Sequence, residues 1–323
     1  MASTVSEIWR YPVKSMGGER INAVAVGERG MHADRMWAVR DPQLGSITTA
    51  RRQPALLMCR ARYPQDPVDH PAVPGHAPEV VITLPDGTEV SSSDPKVHQR
   101  LSELVGTEVQ LEPLPPPSEK ERYKSPKQTK AELRATFGLA EDEPLPDFSI
   151  FPLKMLSELS RYVTPVGSLH DSYPLHLITR TSLASMAALA PGSDFDVRRF
   201  RPNLVVETDD DAGLPENSWL EADIELPRAT LRGEIPTLRC VMPTRGQAEL
   251  PSDPDVMRTV AKHARRCLGL YATVARSGVV SVGDELVVRR PEPPSRPVAM
   301  ARAGKNSLKR GVLRAANALK PDD

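Results

Sequence analysis

The sequence predicts an α+β protein that is rich in β-structure. Proline is frequent, with 33 of the 323 residues, and this content excludes a bundle of long helices because proline interrupts them. Short runs that mix β-branched and aromatic residues with turn residues recur through residues 1–60, as expected for short strands. Helical periodicity is confined to a few short segments.

The first 112 residues are predicted to form one β domain. The strands of residues 1–60 are followed by VVITLPDGTEV at 80–90, which indicates a hairpin that turns at Pro85-Asp86-Gly87. Residues 95–106 then show helical spacing of apolar side chains, and Gly106 marks the predicted end of this helix.

A Pro-rich and charged stretch separates the two halves of the chain. PLPPPSEKERYKSPKQTK at 113–130 is typical of a linker, and the sequence keeps this character up to residue 167. We therefore predict a domain of residues 1–112, a connection of residues 113–167, a second domain core of residues 168–290 and a basic, disordered tail of residues 291–323.

The second half is predicted to mix strands with short helices. HDSYPLHLITR indicates a strand, and the following TRTSLASMAALA indicates a helix with Thr181 or Ser182 as its N-cap. Residues 252–270 show the clearest helical pattern, with Cys267 on the apolar side. VVSVGDELVVRR, at 279–290, is predicted to form a strand–turn–strand.

Charge and hydropathy limit the classes of function. The 42 basic and 42 acidic residues cancel, so no overall field favours nucleic acid, and no nucleic-acid partner is expected. No run of 18 apolar residues occurs and nothing resembles a signal peptide, which predicts a cytoplasmic protein. Residues 306–319 would form a basic amphipathic helix on contact with a partner or an anionic membrane surface, but a solvated tail is the preferred interpretation.

Cys240 is the first residue with candidate chemistry. The chain has three cysteines without Cys-x-x-Cys spacing, which argues against a cysteine-rich zinc site. Cys59 and Cys267 lie among apolar residues and suit burial, whereas Cys240 precedes Pro243 and a polar loop. Cys240 is thus a candidate metal ligand or nucleophile, with a half-buried apolar role as the alternative.

Two groups of basic residues could hold a phosphorylated ligand. VRRFRPN places Arg198, Arg199 and Arg201 ahead of Asn203, while Arg35, Lys14 and Ser15 come from the first 35 residues. Arginine binds phosphate through two parallel hydrogen bonds, and serine or asparagine adds directed ones. Taken one at a time, each group also fits a surface ion pair.

The ordered series of motifs resembles a known family. YPVKS, GMHADRMWAV and TARRQPAL resemble the N-terminal β-barrel domain that precedes MOSC domains, which are named after the C-terminal domain of molybdenum cofactor sulfurase. RFRPNLVV, ENSWL, LRCVMPT, LGLYATV and VSVGDELV resemble the MOSC domain itself. The resemblance implies an N-terminal β-barrel-like domain followed by a MOSC-type β-barrel with a few helices, as in the mitochondrial amidoxime reducing components and their bacterial homologues.

The resemblance also implies a cofactor and a set of site residues. In this family a cysteine at the position of Cys240 binds the molybdenum of a molybdenum–molybdopterin cofactor, and is thereby catalytic. The cofactor-binding residues implied are Lys14, Ser15, Arg35, Ser172, Arg201, Asn203 and Tyr271. Tyr173 and the run from Val241 to Arg245 differ from the family pattern, on the side where substrate is expected.

The implied activity is a molybdenum-dependent reductase. It would reduce small N-hydroxylated compounds such as amidoximes and hydroxylamines. Because the chain has no cysteine cluster of the ferredoxin type, the electrons would come from a separate donor protein of a reductase, ferredoxin or cytochrome type. The alternative is a protein that binds or carries the cofactor, or transfers sulfur, without redox turnover of its own.

Overall fold

The computed structural model describes residues 3–290 and Lys309. The strands are β1 Ser3–Arg10, β2 Glu19–Ile21, β3 Ala23–Gly27, β4 Gly30–Met31, β5 Trp37–Asp41, β6 Ser46–Ile47, β7 Arg60–Arg62, β8 Val81–Thr83, β9 Glu89–Ser91, β10 Gln110–Pro113, β11 Leu175–Thr179, β12 Leu204–Glu207, β13 Asp223–Glu225, β14 Thr230–Leu238, β15 Cys267–Arg276, β16 Gly278–Ser281 and β17 Glu285–Arg289. The α-helices are α1 Lys96–Val105, α2 Lys130–Phe137, α3 Leu153–Leu159, α4 Arg180–Leu189, α5 Val197–Phe200 and α6 Pro254–Ala264.

A closed barrel of seven strands forms the centre of the fold. Its strands follow the order β12-β11-β15-β14-β13-β17-β1, and β1 pairs back onto β12 to close the circle. The barrel of the C-terminal half therefore takes one of its strands from the extreme N-terminal part of the chain. β1 runs antiparallel to both neighbours, with Ile8 opposite Leu204 and Ser3 opposite Leu286.

Two apolar side chains of β1 face the barrel core, because an irregularity between Val5 and Glu7 shifts the register and brings both to the same face. Val5 and Ile8 are almost completely buried in the barrel core, where they join aliphatic residues of the C-terminal strands such as Leu177, Leu231 and Leu270. Closure leaves the barrel without a free strand edge, so the backbone groups of β1 are paired on both sides.

The N-terminal domain is built from small sheets around a second core. One sheet has the order β10-β5-β6 and another the order β7-β8-β9, and α1 packs against them through Val97 and Leu101. A third sheet, β16-β3-β4, again joins strands from both halves of the chain, because β16 lies in the C-terminal half.

The connecting segment 113–167 contains α2 and α3 and contacts both halves. The ring of Tyr123 is fully buried in the N-terminal core. At the end of α2 the carbonyl of Thr136 accepts a 2.9 Å hydrogen bond from the amide of Val241, the residue after Cys240. Arg266 donates to the carbonyl of Phe137 at 3.0 Å. This segment therefore supports the loop that carries Cys240.

The structure confirms the predicted fold class, a β-rich α+β protein. It also places the predicted hairpin as β8 and β9, and the helix over 96–105 ends at Gly106 in the left-handed conformation. Two details of the sequence prediction are wrong. Thr179, rather than Thr181 or Ser182, caps α4 by accepting from the amide of Ser182. Cys267 begins β15, because the chain leaves helix α6 at Ala264.

Two sequence predictions concern the tail and membrane contact. The tail 291–323 and the helix within 306–319 lie outside the described residues, apart from Lys309, whose ammonium donates to the carbonyl of Ser149 at 2.7 Å. Among the helices of the described residues, none combines the length and the apolar character needed to cross a membrane.

We predict that the C-terminal half cannot fold without β1. A fragment of residues 113–290 should show no cooperative thermal unfolding in circular dichroism, because β12 and β17 are left with open edges. Appending residues 3–12 after Arg290 through a short glycine-containing turn should restore the transition, since β1 is antiparallel to β17. Equal melting curves for the two fragments would contradict the assigned role of β1.

Candidate functional site

A cavity of about 90 Å³ lies between the loop after β1 and one end of the barrel. Seven of the eight residues predicted from the sequence line it: Lys14, Ser15, Arg35, Arg201, Asn203, Cys240 and Tyr271. The eighth, Ser172, lines a neighbouring cavity of about 680 Å³, and Arg35 and His170 border both cavities. The structure thus brings together residues that are up to 257 positions apart in the sequence.

Three of these residues have left-handed backbone conformations. The φ angles are 70° for Ser15, 52° for Arg35 and 53° for Arg201. For a residue other than glycine this conformation costs roughly 1–2 kcal/mol, so packing elsewhere must hold it in place. Ser15 and Arg35 lie in turns and Arg201 directly follows α5, and all three side chains line the cavity.

The N-terminal loop is fixed by hydrogen bonds to its own domain. The hydroxyl of Ser15 accepts a 3.0 Å hydrogen bond from the amide of Ala50, and the amide of Lys14 donates to the carbonyl of Trp37 at 2.8 Å. The Lys14 ammonium reaches across to the C-terminal half, where it binds the carbonyl of Leu169 at 2.9 Å and the Asp171 carboxylate at 2.5 Å.

Asp34 is a fully buried carboxylate that connects the two halves of the site. It accepts hydrogen bonds from the amide of Tyr11 at 2.7 Å and from the side-chain amide of Asn203 at 3.0 Å. It also pairs with Arg35 and contacts His170. Burial by itself would raise the pKa of Asp34, but Arg35 and these donors outweigh it and hold the pKa below the usual range.

Burial makes the ammonium of Lys14 easier to deprotonate. It lowers the pKa of the ammonium to about 8, and the attraction of Asp171 only partly offsets this effect. Asp171 also binds Arg51 at 3.0 Å, so two cations share one carboxylate. The Nε of Arg51 is buried and lacks a hydrogen-bond partner among the described residues.

Arg201 and Arg35 face the same aromatic ring. The guanidinium carbon of Arg201 lies 4.3 Å from the ring centroid of Tyr11, and that of Arg35 lies 5.0 Å from it. Arg201 also donates to the carbonyl of Met16. Burial, together with repulsion from Arg35, lowers the pKa of Arg201 to about 10. Two buried guanidinium groups this close favour an anion between or beside them.

Cys240 differs from the two other cysteines in its surroundings. It follows the end of β14, is partly exposed and borders the cavity beside Met242 and Pro243. Cys59 is completely buried, which raises the pKa of its thiol to about 12. Burial raises the pKa of Cys267 to about 11. Of the three thiols, Cys240 is the one that borders the cavity.

Two tyrosines line the cavity together with Cys240. The rings of Tyr173 and Tyr271 stack with their centroids 5.4 Å apart, and the ring of His176 meets Tyr271 edge-on at 5.9 Å. Burial raises the pKa of both tyrosines, and a hydrogen bond from the side chain of Ser172 opposes this rise at Tyr271. Ser172 thus contacts the site through Tyr271.

The described lining of the cavity has an excess of positive charge. Its cationic residues are Lys14, Arg35, Arg51, Arg199, Arg201 and Arg239, and Asp171 is the one carboxylate beside them. Charges buried without partners are costly, so this arrangement is suited to an anionic ligand. Within residues 3–290 no three side chains of His, Cys, Asp or Glu cluster to hold a metal. A metal beside Cys240 would therefore need ligands that another molecule supplies.

Sequence reasoning did not assign several residues of this site. Arg51 lies within the motif TARRQPAL, and Asp34 lies within GMHADRMWAV. Both motifs pointed to the correct segments of the chain, but they did not indicate these individual residues. Conversely, the arginines of VRRFRPN have different surroundings in the structure. Arg198 forms surface ion pairs with Asp196 and Glu249, whereas Arg201 faces the cavity.

Comparison with protein families gives the class of this protein. Residues 2–110 match the model of the MOSC N-terminal beta barrel domain, and residues 165–287 match that of the MOSC domain. The chain belongs to the MOSC-domain proteins that carry the N-terminal β-barrel domain. MOSC domains are associated with proteins that bind the molybdenum cofactor.

Comparisons with individual proteins add little. None of the curated proteins matches the sequence. Among solved structures, the YUAD protein from Bacillus subtilis is similar over 90% of this chain and 98% of its own, with 12% identity and a TM-score of 0.41. YiiM from Geobacillus stearothermophilus is similar over 36% of this chain and 54% of its own, with 19% identity and a TM-score of 0.29.

We predict that anion binding at this site weakens as pH rises through about 8. The pKa of Lys14 in the ligand-free fold is about 8, against 10.5 ordinarily, so the ammonium loses its proton within the accessible range. Between these values the unfolded chain binds more protons than the folded one, and stability without ligand rises with pH. The increase in melting temperature caused by sulfate, which stays a dianion, should therefore shrink between pH 7 and 9.

Two variants provide the controls for this measurement. Lys14→Gln should remove most of the pH dependence, because no ammonium remains to titrate in the site. Lys124→Gln changes a lysine that pairs with Glu121 on the surface and should leave the profile unchanged. A Lys14→Gln profile identical to that of the wild type would show that Lys14 does not contribute to the anion site.

Proposed function

We propose that this protein binds a molybdenum–molybdopterin cofactor and reduces N-hydroxylated compounds with electrons from a separate donor protein. The observation that carries the proposal is one cavity that joins the thiol of Cys240 to a cluster of buried cations. A thiolate is a suitable ligand for molybdenum, and arginine and lysine are suited to a phosphate. The family match supports the same cofactor.

The residues present fit the two ends of this cofactor. Cys240 would supply the protein's sulfur to the metal, and the dithiolene of the pterin would supply further ligands. Lys14, Ser15, Arg35 and Arg201 would hold the anionic end. The buried, unpartnered Nε of Arg51 is one donor that such a ligand could satisfy. The neighbouring larger cavity, which shares Arg35 and His170, offers additional space for a bulky ligand.

The bound cofactor would supply two-electron redox chemistry, and the protein would supply binding and orientation. Asp34 fixes the position of Arg35 and Asn203 from opposite halves of the chain. The stacked rings of Tyr173 and Tyr271 border the cavity beside Cys240 and would limit the space open to substrate. Small, planar N-hydroxylated groups such as amidoximes suit that restriction.

The decisive experiment is an elemental and organic analysis of the purified protein. We expect about one molybdenum or tungsten atom and one pterin per chain, the pterin detected by fluorescence after acid oxidation. The loaded protein should reduce an aromatic amidoxime with a chemically reduced viologen as electron source. Metal and pterin without turnover would favour a carrier or sulfur-transfer protein, and absence of both would contradict the proposal.

We predict that Cys240→Ser abolishes turnover and changes the metal spectrum, while pterin remains bound in part. A hydroxyl is a poor replacement for a thiolate on molybdenum, and the cationic residues do not depend on this sulfur. Cys59→Ser is the matched control, because it also removes one sulfur. It should cost about 1–3 kcal/mol of stability through burial of a polar group and leave the spectrum unchanged. Full turnover and a wild-type spectrum in Cys240→Ser would exclude Cys240 as the ligand.

We predict that Arg201→Ala lowers pterin content per folded molecule. Loss of a charged hydrogen-bond donor should weaken binding by about 1.5–3 kcal/mol. Arg198→Ala offers the comparison, because Arg198 lies three residues away and its ion pairs are with Asp196 and Glu249. It should keep the wild-type pterin content. If both variants retain pterin equally and only the melting temperature of Arg201→Ala falls, Arg201 has a structural role alone.

A further inference from the structure

Arg199 and Arg239 are two buried arginines without a carboxylate partner among the described residues. Their exposed fractions are 1% and 8%. A buried guanidinium usually pairs with an acid, because an uncompensated charge in the interior is costly. Here most of the donors go to backbone carbonyls instead, and these carbonyls lie on β15 and on the segments that carry Cys240 and Arg201.

Arg199 holds the segment between β14 and α6, residues 239–253, which is called the Cys240 loop below. Its Nη1 donates to the carbonyl of Pro243 at 3.2 Å and lies 3.5 Å from that of Arg245, while Nη2 donates to the carbonyl of Pro251 at 2.9 Å. Nε donates to the carbonyl of Asp194, close to the start of α5. One side chain of α5 therefore fixes the far end of the Cys240 loop.

Arg239 makes the reciprocal connection from the Cys240 loop to α5. Its Nη1 donates to the carbonyl of Phe200 at 2.8 Å, and Phe200 directly precedes Arg201. Its Nε and Nη2 donate to the carbonyl of Leu268 on β15 at 2.8 and 2.6 Å. Nη2 also meets Nε2 of His176 at 2.5 Å.

The contact with His176 extends this connection to Asn203. His176 accepts from Arg239 through Nε2, which requires a neutral ring, and burial together with Arg239 holds the pKa of His176 well below its usual range. The amide of Asn203 donates to the carbonyl of His176 at 2.7 Å, and the amide of His176 donates to the side-chain oxygen of Asn203 at 3.2 Å.

We infer that Arg199 and Arg239 form an arginine clasp, a pair of positioning residues that sets the spacing between Cys240 and Arg201. Under the proposed function, on which this inference rests, these are the residues at the metal end and the anionic end of the bound cofactor. Lysine cannot replace either arginine, because three donors on one nitrogen cannot reach carbonyls on two or three separate segments.

The test uses Arg199→Lys and Arg239→Lys, which keep the charge and remove the fork of donors. In full-length chains made in a host without molybdopterin, Cys240 should react with iodoacetamide about tenfold faster than in the wild type. Peptide mass spectrometry gives the rate, and the buried Cys59 serves as the internal reference. Arg40→Lys is the control, because Arg40 is also buried and donates to two backbone carbonyls, those of Gly45 and Arg122. Arg40 also pairs with Glu112, and none of these residues is among the described residues that line the cavity beside Cys240.

The loaded protein provides a second readout. Arg199→Lys and Arg239→Lys should change the X-ray absorption spectrum per bound metal, whereas Arg40→Lys should only lower the melting temperature. If no form of the protein contains metal or pterin, the proposed function fails, and the alkylation rates still decide whether the clasp exists. Wild-type alkylation rates in both lysine variants, or an equal increase in Arg40→Lys, would overturn the clasp.

A measurement on the wild type covers the case in which the variants do not fold. The amides of Arg201 and Arg245 donate to carbonyls within their own segments, those of Val197 and Met242. If the clasp joins these segments into one unit, the two amides should exchange with solvent deuterium at the same opening free energy. Opening of the Cys240 loop at much lower free energy than α5 would contradict the clasp.

Discussion

The pairing of β1 with β12 is the constraint on which the rest of the structure depends. It closes the barrel of the C-terminal half with a strand from the N-terminal end of the chain. The loop that leaves β1 therefore starts at a fixed place on the barrel rim, and Lys14 and Ser15 lie on that loop. Arg201 and Asn203 immediately precede β12, the partner of β1, so the same hydrogen-bonded ladder determines where both groups meet. Closure of the barrel therefore brings the site residues of both halves of the chain to the same rim.

Buried charge then decides how these groups are arranged within the site. Asp34 is a completely buried carboxylate that accepts hydrogen bonds from both halves of the chain. Its charge offsets Arg35, and Asp171 is shared between Lys14 and Arg51. Arg201 receives less compensation, and its contacts are a carbonyl and the face of Tyr11. The positive charge that remains uncompensated is thus concentrated on the cavity side, where an anion can reach it.

The sequence was sufficient for the fold class and for most of the residues that line the cavity. The hairpin at residues 80–90 and the helix that ends at Gly106 follow from local turn chemistry and apolar spacing, which a single sequence records directly. The pairing of β1 with β12 and β17 joins segments that are about 200 or more residues apart in the sequence, and no local sequence pattern indicates it. The left-handed conformations of Ser15, Arg35 and Arg201 could not be predicted either, because serine and arginine, unlike glycine, do not favour a positive φ. The N-cap at Thr179 was missed because Thr181 and Ser182 are equally good capping residues by type.

Strain and uncompensated charge at one place have a common consequence for stability. Three left-handed residues and a cluster of buried cations destabilise the ligand-free fold, and the closed barrel and the two cores must outweigh that cost. An anionic ligand that binds only the folded chain recovers part of it, since binding stabilises the fold in proportion to the logarithm of ligand concentration over the dissociation constant. The same left-handed conformations place Arg35 and Arg201 at the cavity in this fold, so a ligand there would meet cations that are already in position. Affinity at this site is therefore bought with stability of the ligand-free protein, and the two quantities should move in opposite directions when these residues are changed.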